Sequence, residues 1–445
     1  MEKIIPSRPS YLYPTPGRVG LVLAGGAARG AYEVGVVQYI AEEIAKAIGR
    51  DPPLDIICGT SVGAINGCAL AAYADYPRSR ARRLVSAWRS LRIEDVLLFS
   101  SLHFMKFVRS AFGPQPTQAQ VKEDRFGGLI DASGMERIIR HNIAFPRIEE
   151  HLRSGLLTGV TTSATHIATG NTVVFVGYGG EKLPRWSSDP KVVPRRVQLQ
   201  LGHALSSAAI PLLFPSVRVD GEFYCDGGLR QNVPLSPARH LGADGVVVIS
   251  PRFIDEVPRM PEHPNPAARM PGPLFLAGKA LNALLLDRVE NDIERLTRIN
   301  QILLAGESRY GEEFVPELNR TLGREGSGRG FRPLASLLIR ASENMGRMAA
   351  DYVRSERFAR RTSGLAGRML RQILDYAFDD EADLLSYILF DGEFARQLID
   401  LGWHDAKLQH DALCHFFTEL CCRDHTPSLG HQVGRPAGTP PDEPR

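Results

Sequence analysis

Apolar residues fall in short, dense runs through the first 255 positions and in wide helical spacing after about position 274. Val19-Gly20-Leu21-Val22-Leu23, Asp55-Ile56-Ile57-Cys58, Leu156 to Thr162, Thr172 to Val176 and Gly245 to Ile249 are aliphatic or β-branched runs of strand length. Between them the apolar spacing lengthens to three and four, as at Tyr32, Val36, Tyr39 and Ile40, or becomes a run of small residues, as in Ala64 to Ala72. Val217 to Val219 and Glu222 to Tyr224 flank Asp220-Gly221, a two-residue hairpin signal. Such alternation predicts an α/β fold of three layers, a largely parallel central sheet between helices. Prolines then interrupt every pattern, giving a linker over 256–273. Past it the stripe Leu281, Leu285, Val289, Ile293, Leu296, Ile299 and Leu303 marks a long helix. Leu384, Leu385, Ile388 and Leu389, then Leu413, Phe416, Phe417 and Leu420, mark others, so an all-α C-terminal region is expected over 274–426. Proline-bearing residues 1–17 read as an arm, and the Pro/Gly-rich residues 427–445 as a disordered tail.

At 445 residues the chain exceeds one ordinary core, so the expectation is one domain over 18–255 and a second, helical unit. Hydrophobic content of 43% with 23% charged residues is that of a globular protein. A net charge of +3, with no basic run interleaved with aromatics, argues against nucleic acid as a partner. No apolar stretch has bilayer length, and the first residues lack a signal peptide's apolar core, so a cytoplasmic location is expected. Six cysteines without disulfide-framework spacing fit a reducing compartment, and Cys58, Cys68 and Cys225 read as small buried hydrophobes. His410, Cys414, His415, Cys421, Cys422 and His425 match no zinc spacing, so no metal or other cofactor is expected.

Candidate chemistry begins at Gly59-Thr60-Ser61-Val62-Gly63, a G-x-S-x-G sequence between a strand and a small-residue helix. That context makes it a nucleophile elbow, in which glycines permit a sharp turn and expose the serine at the top of a sheet. Upstream, a strand runs into Gly25-Gly26-Ala27-Ala28-Arg29-Gly30, whose backbone N–H groups suit an oxyanion or a phosphate. A dinucleotide site needs a glycine where Ala27 stands, and an acidic residue after a second strand that is missing. Downstream, a strand ends in Asp226-Gly227-Gly228, which would bring a carboxylate close to another backbone.

Taken with Ala204 to Pro215, these blocks resemble, in order, the signature segments of the patatin-like phospholipase family. The first looks like its Gly-rich oxyanion loop, the second its elbow, the third its Asp-Gly-[Gly/Ala]. The resemblance implies a lipid acyl hydrolase of phospholipase A or lysophospholipase type. It would use a Ser61–Asp226 dyad without a catalytic histidine, act on a lipid substrate, and make transient contact with a membrane surface. Ala27 departs from the family's third glycine; its N–H is kept, so the oxyanion hole survives unless this residue needs φ > 0. An aspartate of ordinary pKa near 4 is a weak base for serine, so its surroundings must raise that pKa or limit water. A Ser–His–Asp arrangement through His166, His203 or His240 is the rival mechanism, and a lipid- or protein-binding scaffold that has lost turnover is the rival function. Arg29 is expected to brace the loop, the alternative being a lipid phosphate. Arg78, Arg80, Arg82, Arg83, Arg89 and Arg92, followed by Val96 to Phe99 and Leu102 to Arg109, read either as a helix packed on the sheet or as a lipid-docking surface that includes Trp88.

Overall fold

A computed structural model of the chain describes residues 17–96, 121, 124–186, 189–231, 233–254, 288–324, 330–362, 367, 370–371 and 383–421. The expected arm apart from Gly17, the linker, the apolar run from Leu97 to Arg109, the start of the Leu281 stripe and the tail lie outside those residues.

Ten strands form one sheet: β1 (Val19–Leu23), β2 (Ile56–Thr60), β3 (Arg125–Phe126), β4 (Gly159–His166), β5 (Thr172–Tyr178), β6 (Val192–Arg196), β7 (Ser216–Val219), β8 (Glu222–Asp226), β9 (Gly245–Ser250) and β10 (Ala335–Arg340). Their order is β10-β9-β1-β2-β4-β8-β7-β3, with β5 on β4 and β6 on β5. From β10 to β4 every pairing is parallel; beyond β4, all but β5–β6 are antiparallel. The sheet is therefore mixed, with its parallel half around the elbow. Asp220 and Gly221 both have positive φ, 50° and 83°, and close the β7–β8 hairpin as the Asp-Gly signal predicts.

β4 organises the centre. One of its edges is taken by β5 over Gly159–Thr165. The other is divided: Gly159–Ser163 pair with β2, and Ala164–His166 pair with β8 running the opposite way. The carboxyl ends of β2 and β8 thus meet head to head, Thr60 opposite Ser163 and Asp226 opposite Ala164.

One departure concerns the C-terminal region, which is helical but not all-α. β10 extends the sheet by pairing with β9. As an edge strand it buries only Ile339 fully, and Leu337, Leu338 and Ile339 alone fit a helix as well as a strand. The helices α1 (Ala31–Tyr39), α2 (Val62–Ala72), α3 (Pro77–Arg89), α4 (Ser133–Asn142), α5 (Phe145–Arg153) and α6 (Leu201–Ser207) precede α7 (Leu235–His240). The C-terminal region adds α8 (Arg288–Tyr310), α9 (Phe314–Thr321), α10 (Met345–Arg354), α11 (Asp383–Ile388), α12 (Gly392–Leu408) and α13 (His410–Cys421). α12 lies directly on α1, where glycine is required on both sides. A Cβ on Gly35 would stand 2.0 Å from the Ile399 carbonyl oxygen, and one on Gly402 2.1 Å from that of Tyr32. The Tyr32 hydroxyl donates to Asp405 at 2.9 Å across the same contact. Leu21, Ile57 and Tyr32 share one hydrophobic cluster with Phe394, Leu398 and Phe417, while Val22, Ile56, Cys58 and Val248 belong to a second cluster with Trp186. The sequence division at the prolines is not a division of the core. Among the described residues no helix is long and apolar enough to cross a membrane.

Candidate active site

Ser61 stands between β2 and α2 with φ +54° and ψ −127°, a conformation that side-chain-bearing residues rarely adopt. The flanking glycines make that turn possible. A Cβ on Gly59 would lie 2.2 Å from the Gly63 carbonyl oxygen, and one on Gly63 2.5 Å from that of Leu23. Thr60 is fully buried and Val62 starts α2. The Ser61 N–H donates to Ser207 Oγ at 2.9 Å, and the Ser207 hydroxyl donates to the Ser163 carbonyl at 2.5 Å. Ser207 ends α6, so the Ala204–Pro215 block supports the elbow from the side of β4.

The Ser61 hydroxyl donates to Asp226 Oδ2 at 2.6 Å, and the two side chains are 1% and 0% exposed. Asp226 ends β8, and its other oxygen, Oδ1, accepts the Gly228 N–H at 2.7 Å. Its own N–H donates to the Ala209 carbonyl, and its carbonyl accepts from Thr165 Oγ1. Gly227 passes so close to β4 that a Cβ there would sit 2.1 Å from the Ser163 carbonyl oxygen. Burial raises the Asp226 pKa to about 7, against the opposing hydrogen bonds from Ser61 and Gly228. A carboxylate so placed has the basicity that the serine needs.

The Gly25–Gly30 loop leaves β1, forms one 3-10 turn over Ala27–Gly30 and enters α1. Arg29 N–H donates to the Gly26 carbonyl, while the N–H groups of Ala27 and Ala28 begin the turn and have no partner within it. Gly26 has an extended backbone, but a Cβ there would meet the Pro251 ring at 2.8 Å. Gly30 lets the loop lie on the elbow, since a Cβ would stand 2.6 Å from both Val62 methyl carbons. Ala27 has φ +49°, the conformation in which a glycine costs nothing and an alanine is strained.

Arg29 is a brace, 4% exposed, and the partners described for it lie far along the chain. Nε donates to Ser386 Oγ and Nη2 to Asp383 Oδ1, each at 2.8 Å, and the guanidinium lies 4.1 Å over the Tyr387 ring. The loop is thus tied to α11, some 350 residues later, a link no sequence signal announces. A second tie was equally hidden. Asn66 on α2 donates to the Gly30 carbonyl and to Glu33 Oε2, and its Oδ1 accepts the Trp88 indole N–H at 3.0 Å. Glu33 is 1% exposed, and burial holds its carboxyl well above the usual pKa against the hydrogen bond from Asn66.

The histidines have other work. His166 faces Thr169 and Glu222, His203 accepts the Gln200 N–H at the start of α6, and His240 stacks on Trp186. Among the described residues no group of three His, Cys, Asp or Glu side chains is placed to hold a metal. His410 contacts Tyr39 and Cys414 instead, while Cys422 and His425 lie outside the described residues. Of the arginines read as a docking surface, Arg80 is buried and Trp88 is turned inward on Asn66, so α3 packs on the core by that face. Arg78 and Arg82 pair with Asp51 and Glu42, and Arg83 covers Tyr73. An apolar cavity of about 80 Å³ opens beside the elbow, lined by Val62, Ile65, Ala69, Leu84, Trp88 and Ile139 among others.

A family model described as patatin-like phospholipase matches residues 21–239. Lysophospholipase nte1 of Aspergillus terreus is 46% identical over 77 residues, which are 16% of this chain and 5% of that protein. Patatin-like phospholipase domain-containing protein 7 of Mus musculus is 26% identical over 244 residues, 54% of this chain and 14% of its own. Triacylglycerol lipase ptl3 of Schizosaccharomyces pombe is 30% identical over 155 residues, 35% and 28% of the two chains. The chain spans only a small part of each of these relatives. Among solved structures, human GIVD cytosolic phospholipase A2 in complex with methyl gamma-linolenyl fluorophosphonate aligns with a TM-score of 0.39 and 11% identity, covering 92% of this chain and 59% of that one.

Proposed function

Residues 21–239 belong to the patatin-like phospholipase family, and from that premise we propose that the chain hydrolyses carboxylic esters of lipids through Ser61 and Asp226. The observation that carries this reading is the buried 2.6 Å hydrogen bond from Ser61 Oγ to a carboxylate whose pKa burial lifts to about 7. Ser61 Oγ attacks the ester carbonyl carbon as its proton passes to Asp226 Oδ2. The carbonyl oxygen takes the electron pair and meets the N–H groups of Ala27 and Ala28 that begin the 3-10 turn, where one donor is commonly worth ~3 kcal/mol in the transition state. The C–O bond then breaks, and Asp226 returns the proton to the leaving alcohol. Water repeats the cycle on the acyl-serine, with Asp226 again the base.

The apolar cavity beside Val62 supports an acyl chain as the group placed next to Ser61. The printed names of the relatives, a lysophospholipase and a triacylglycerol lipase, support phospholipids, lysophospholipids and glycerides as the substrate class. The chemistry would reside in residues 18–255, with the helices of 274–426 as its brace, and no metal would take part. A cytoplasmic enzyme that touches a lipid surface only while it works fits the few, free cysteines. A weakened or non-catalytic relative of the same fold is the second reading, and the positive φ of Ala27 is the observation that favours it.

A panel of phosphatidylcholine, lysophosphatidylcholine, trioleoylglycerol and nitrophenyl butyrate, offered to wild type and Ser61→Ala, separates the two. Fatty acid released by wild type alone supports the hydrolase. No release from any of the four by wild type overturns it in favour of the scaffold.

A further inference from the structure

On another part of the molecule a second lining mixes charged side chains with apolar ones. An open groove of about 1350 Å³ lies between α7, the chain around Trp186, α8 and the turn after α9. Arg185, Arg239, Arg295, Arg298 and Arg324 line it, against the carboxylates of Asp189 and Glu294. Guanidinium groups outnumber carboxylates among the described lining residues. Among the described residues Arg185, Arg239, Arg295 and Arg298 have no ion-pair partner. The nearby Asp244 is engaged: Arg332 donates to its Oδ1 at 2.7 Å and the Arg18 N–H to its Oδ2 at 2.9 Å.

This arrangement is unfavourable while the groove is empty. Arg239 is half-buried, and burial, followed by the charges of Arg332, Arg324 and Arg295, pushes its pKa down. Like charges converging on a half-buried guanidinium cost free energy, and an anion placed among them adds a Coulombic attraction to each that offsets this cost. Guanidinium forks match the oxygen geometry of phosphate and bind it bidentately. Aromatic faces stand beside the charges, with Trp186 stacked on His240 at 5.1 Å and Phe331 beneath Arg324 at 4.6 Å. The volume of the groove and the number of arginines that line it exceed what a single phosphate would use.

We propose that this groove binds a small ligand carrying two or more phosphate groups, gripped by Arg239, Arg295, Arg298 and Arg324. A free polyphosphate or nucleotide and a multiply phosphorylated lipid headgroup share that chemistry. Gln231 lines the groove and joins it to the Asp226 loop, since its N–H donates to the Gly227 carbonyl at 2.9 Å and its side chain accepts from Ser163. The proposal does not depend on lipid hydrolysis, because binding can be read directly.

The test titrates the full chain with inorganic tripolyphosphate, and sediments it with phosphatidylcholine vesicles with and without a phosphatidylinositol bisphosphate. Arg295→Glu with Arg298→Glu reverses two exposed charges of α8 in the groove, and Arg324→Gln removes a third. Arg309→Glu with Arg360→Glu makes the same charge change at exposed positions outside it. Wild type should bind saturably, the groove variants at least about tenfold more weakly, and the control pair like wild type, with circular dichroism and melting temperature retained throughout as a check on folding. Tripolyphosphate binding assigns a free ligand; binding only to doped vesicles, lost in the groove variants, assigns a headgroup. Absence of saturable binding to both probes by wild type overturns the site, as does equal weakening by the control pair or none by the groove variants.

Discussion

The elbow at Ser61 and the Gly25–Gly30 loop are the two halves of the proposed catalytic site, and both hold a residue other than glycine at positive φ, Ser61 at +54° and Ala27 at +49°. They are held in place in different ways. The elbow is secured by its immediate neighbours: Gly59 and Gly63 clear space for crossing backbone, and Ser207 and Asp226 bind Ser61 from β4's side of the sheet. The loop is secured from a distance, by Asp383 and Ser386 on Arg29 and by Asn66 on Gly30. Strain at the elbow is therefore enforced by packing that a substitution cannot relax, whereas the loop's geometry depends on a C-terminal helix staying docked.

The hardest test of the comparison removes the chemistry itself. Ser61→Ala and Asp226→Asn should each lower kcat by at least about a thousandfold on a soluble ester. In wild type kcat/KM should rise with pH through an apparent pKa near 7, because Asp226 must be unprotonated to accept the proton. The same shift has a stability consequence. A carboxyl whose pKa is raised in the folded state binds more protons folded than unfolded, so stability falls as pH climbs from about 4 to about 7. Asp226→Asn should therefore melt at a higher temperature than wild type at pH 8 while being inactive. An Asn variant with near-wild-type kcat would send the search for a base back to the histidines.

Next comes the packing of the elbow. Gly63→Ala drives a Cβ to within 2.5 Å of the Leu23 carbonyl oxygen, and backbone cannot step aside as a side chain can. Loss of about 3 kcal/mol or more of stability is expected, with activity lost beside it. Gly30→Ala meets the Val62 side chain, its methyl carbons at 2.6 Å and its Cβ at 3.1 Å, and not crossing backbone, so its penalty should be nearer 1–2 kcal/mol. Equal chemical-denaturation midpoints for the two variants would mean that elbow and loop are equally constrained.

Breaking the loop's remote tie should have a smaller and more selective effect. Asp383→Asn keeps an acceptor for Arg29 but removes the charge from a pair whose side chains are 4% and 14% exposed. With the loop less firmly held, kcat should fall about tenfold while KM stays near wild type, because the donors act in the transition state. Asp383→Glu should recover part of the loss. A fall in stability with kcat untouched would make α11 a packing element and nothing more.

The contrast between local and remote support also explains what the sequence could disclose. Ser61, the Gly-rich loop and Asp226 were legible because each follows a short buried strand and carries glycines whose spacing has a mechanical reason. The α/β alternation was legible for the same reason, since β1, β2, β4, β5 and β9 are buried runs. β10 was not, because an edge strand with one buried face loses the signal that a central strand gives. Nor could Asp383, Ser386 or Asn66 be picked out, since a side chain that ties two distant segments leaves no periodic trace in either. Trp88 could be read either way for a related reason: beside arginines it suits an interface as well as a core, and its bond to Asn66 shows that it points inward. The spacing at Gly35 and Gly402 likewise has meaning only once α12 is laid on α1.

The smallest effect should come from Ala27, and its smallness is informative. Holding an alanine at φ +49° costs roughly 1–2 kcal/mol relative to a glycine at the same place. Glycine in turn gives the unfolded chain more freedom, at a cost of roughly 0.5–1 kcal/mol, so Ala27→Gly should leave overall stability within about 1 kcal/mol of wild type. The N–H at this position is present in both proteins. If Arg29 and Asn66 fix the loop from outside, the strain at Ala27 is borne by those contacts without moving the donor, and kcat should change by less than about tenfold. A larger gain would show that the alanine displaces the donor and that the natural protein is a weakened enzyme. Combining Ala27→Gly with Asp383→Asn sharpens the point. When the tie is gone, relief of strain should matter more, so the double variant should recover activity relative to Asp383→Asn by a larger factor than Ala27→Gly gains alone. Simple additivity of the two would mean that the remote tie and the strained residue act independently, and that the loop's conformation is set by its own six residues.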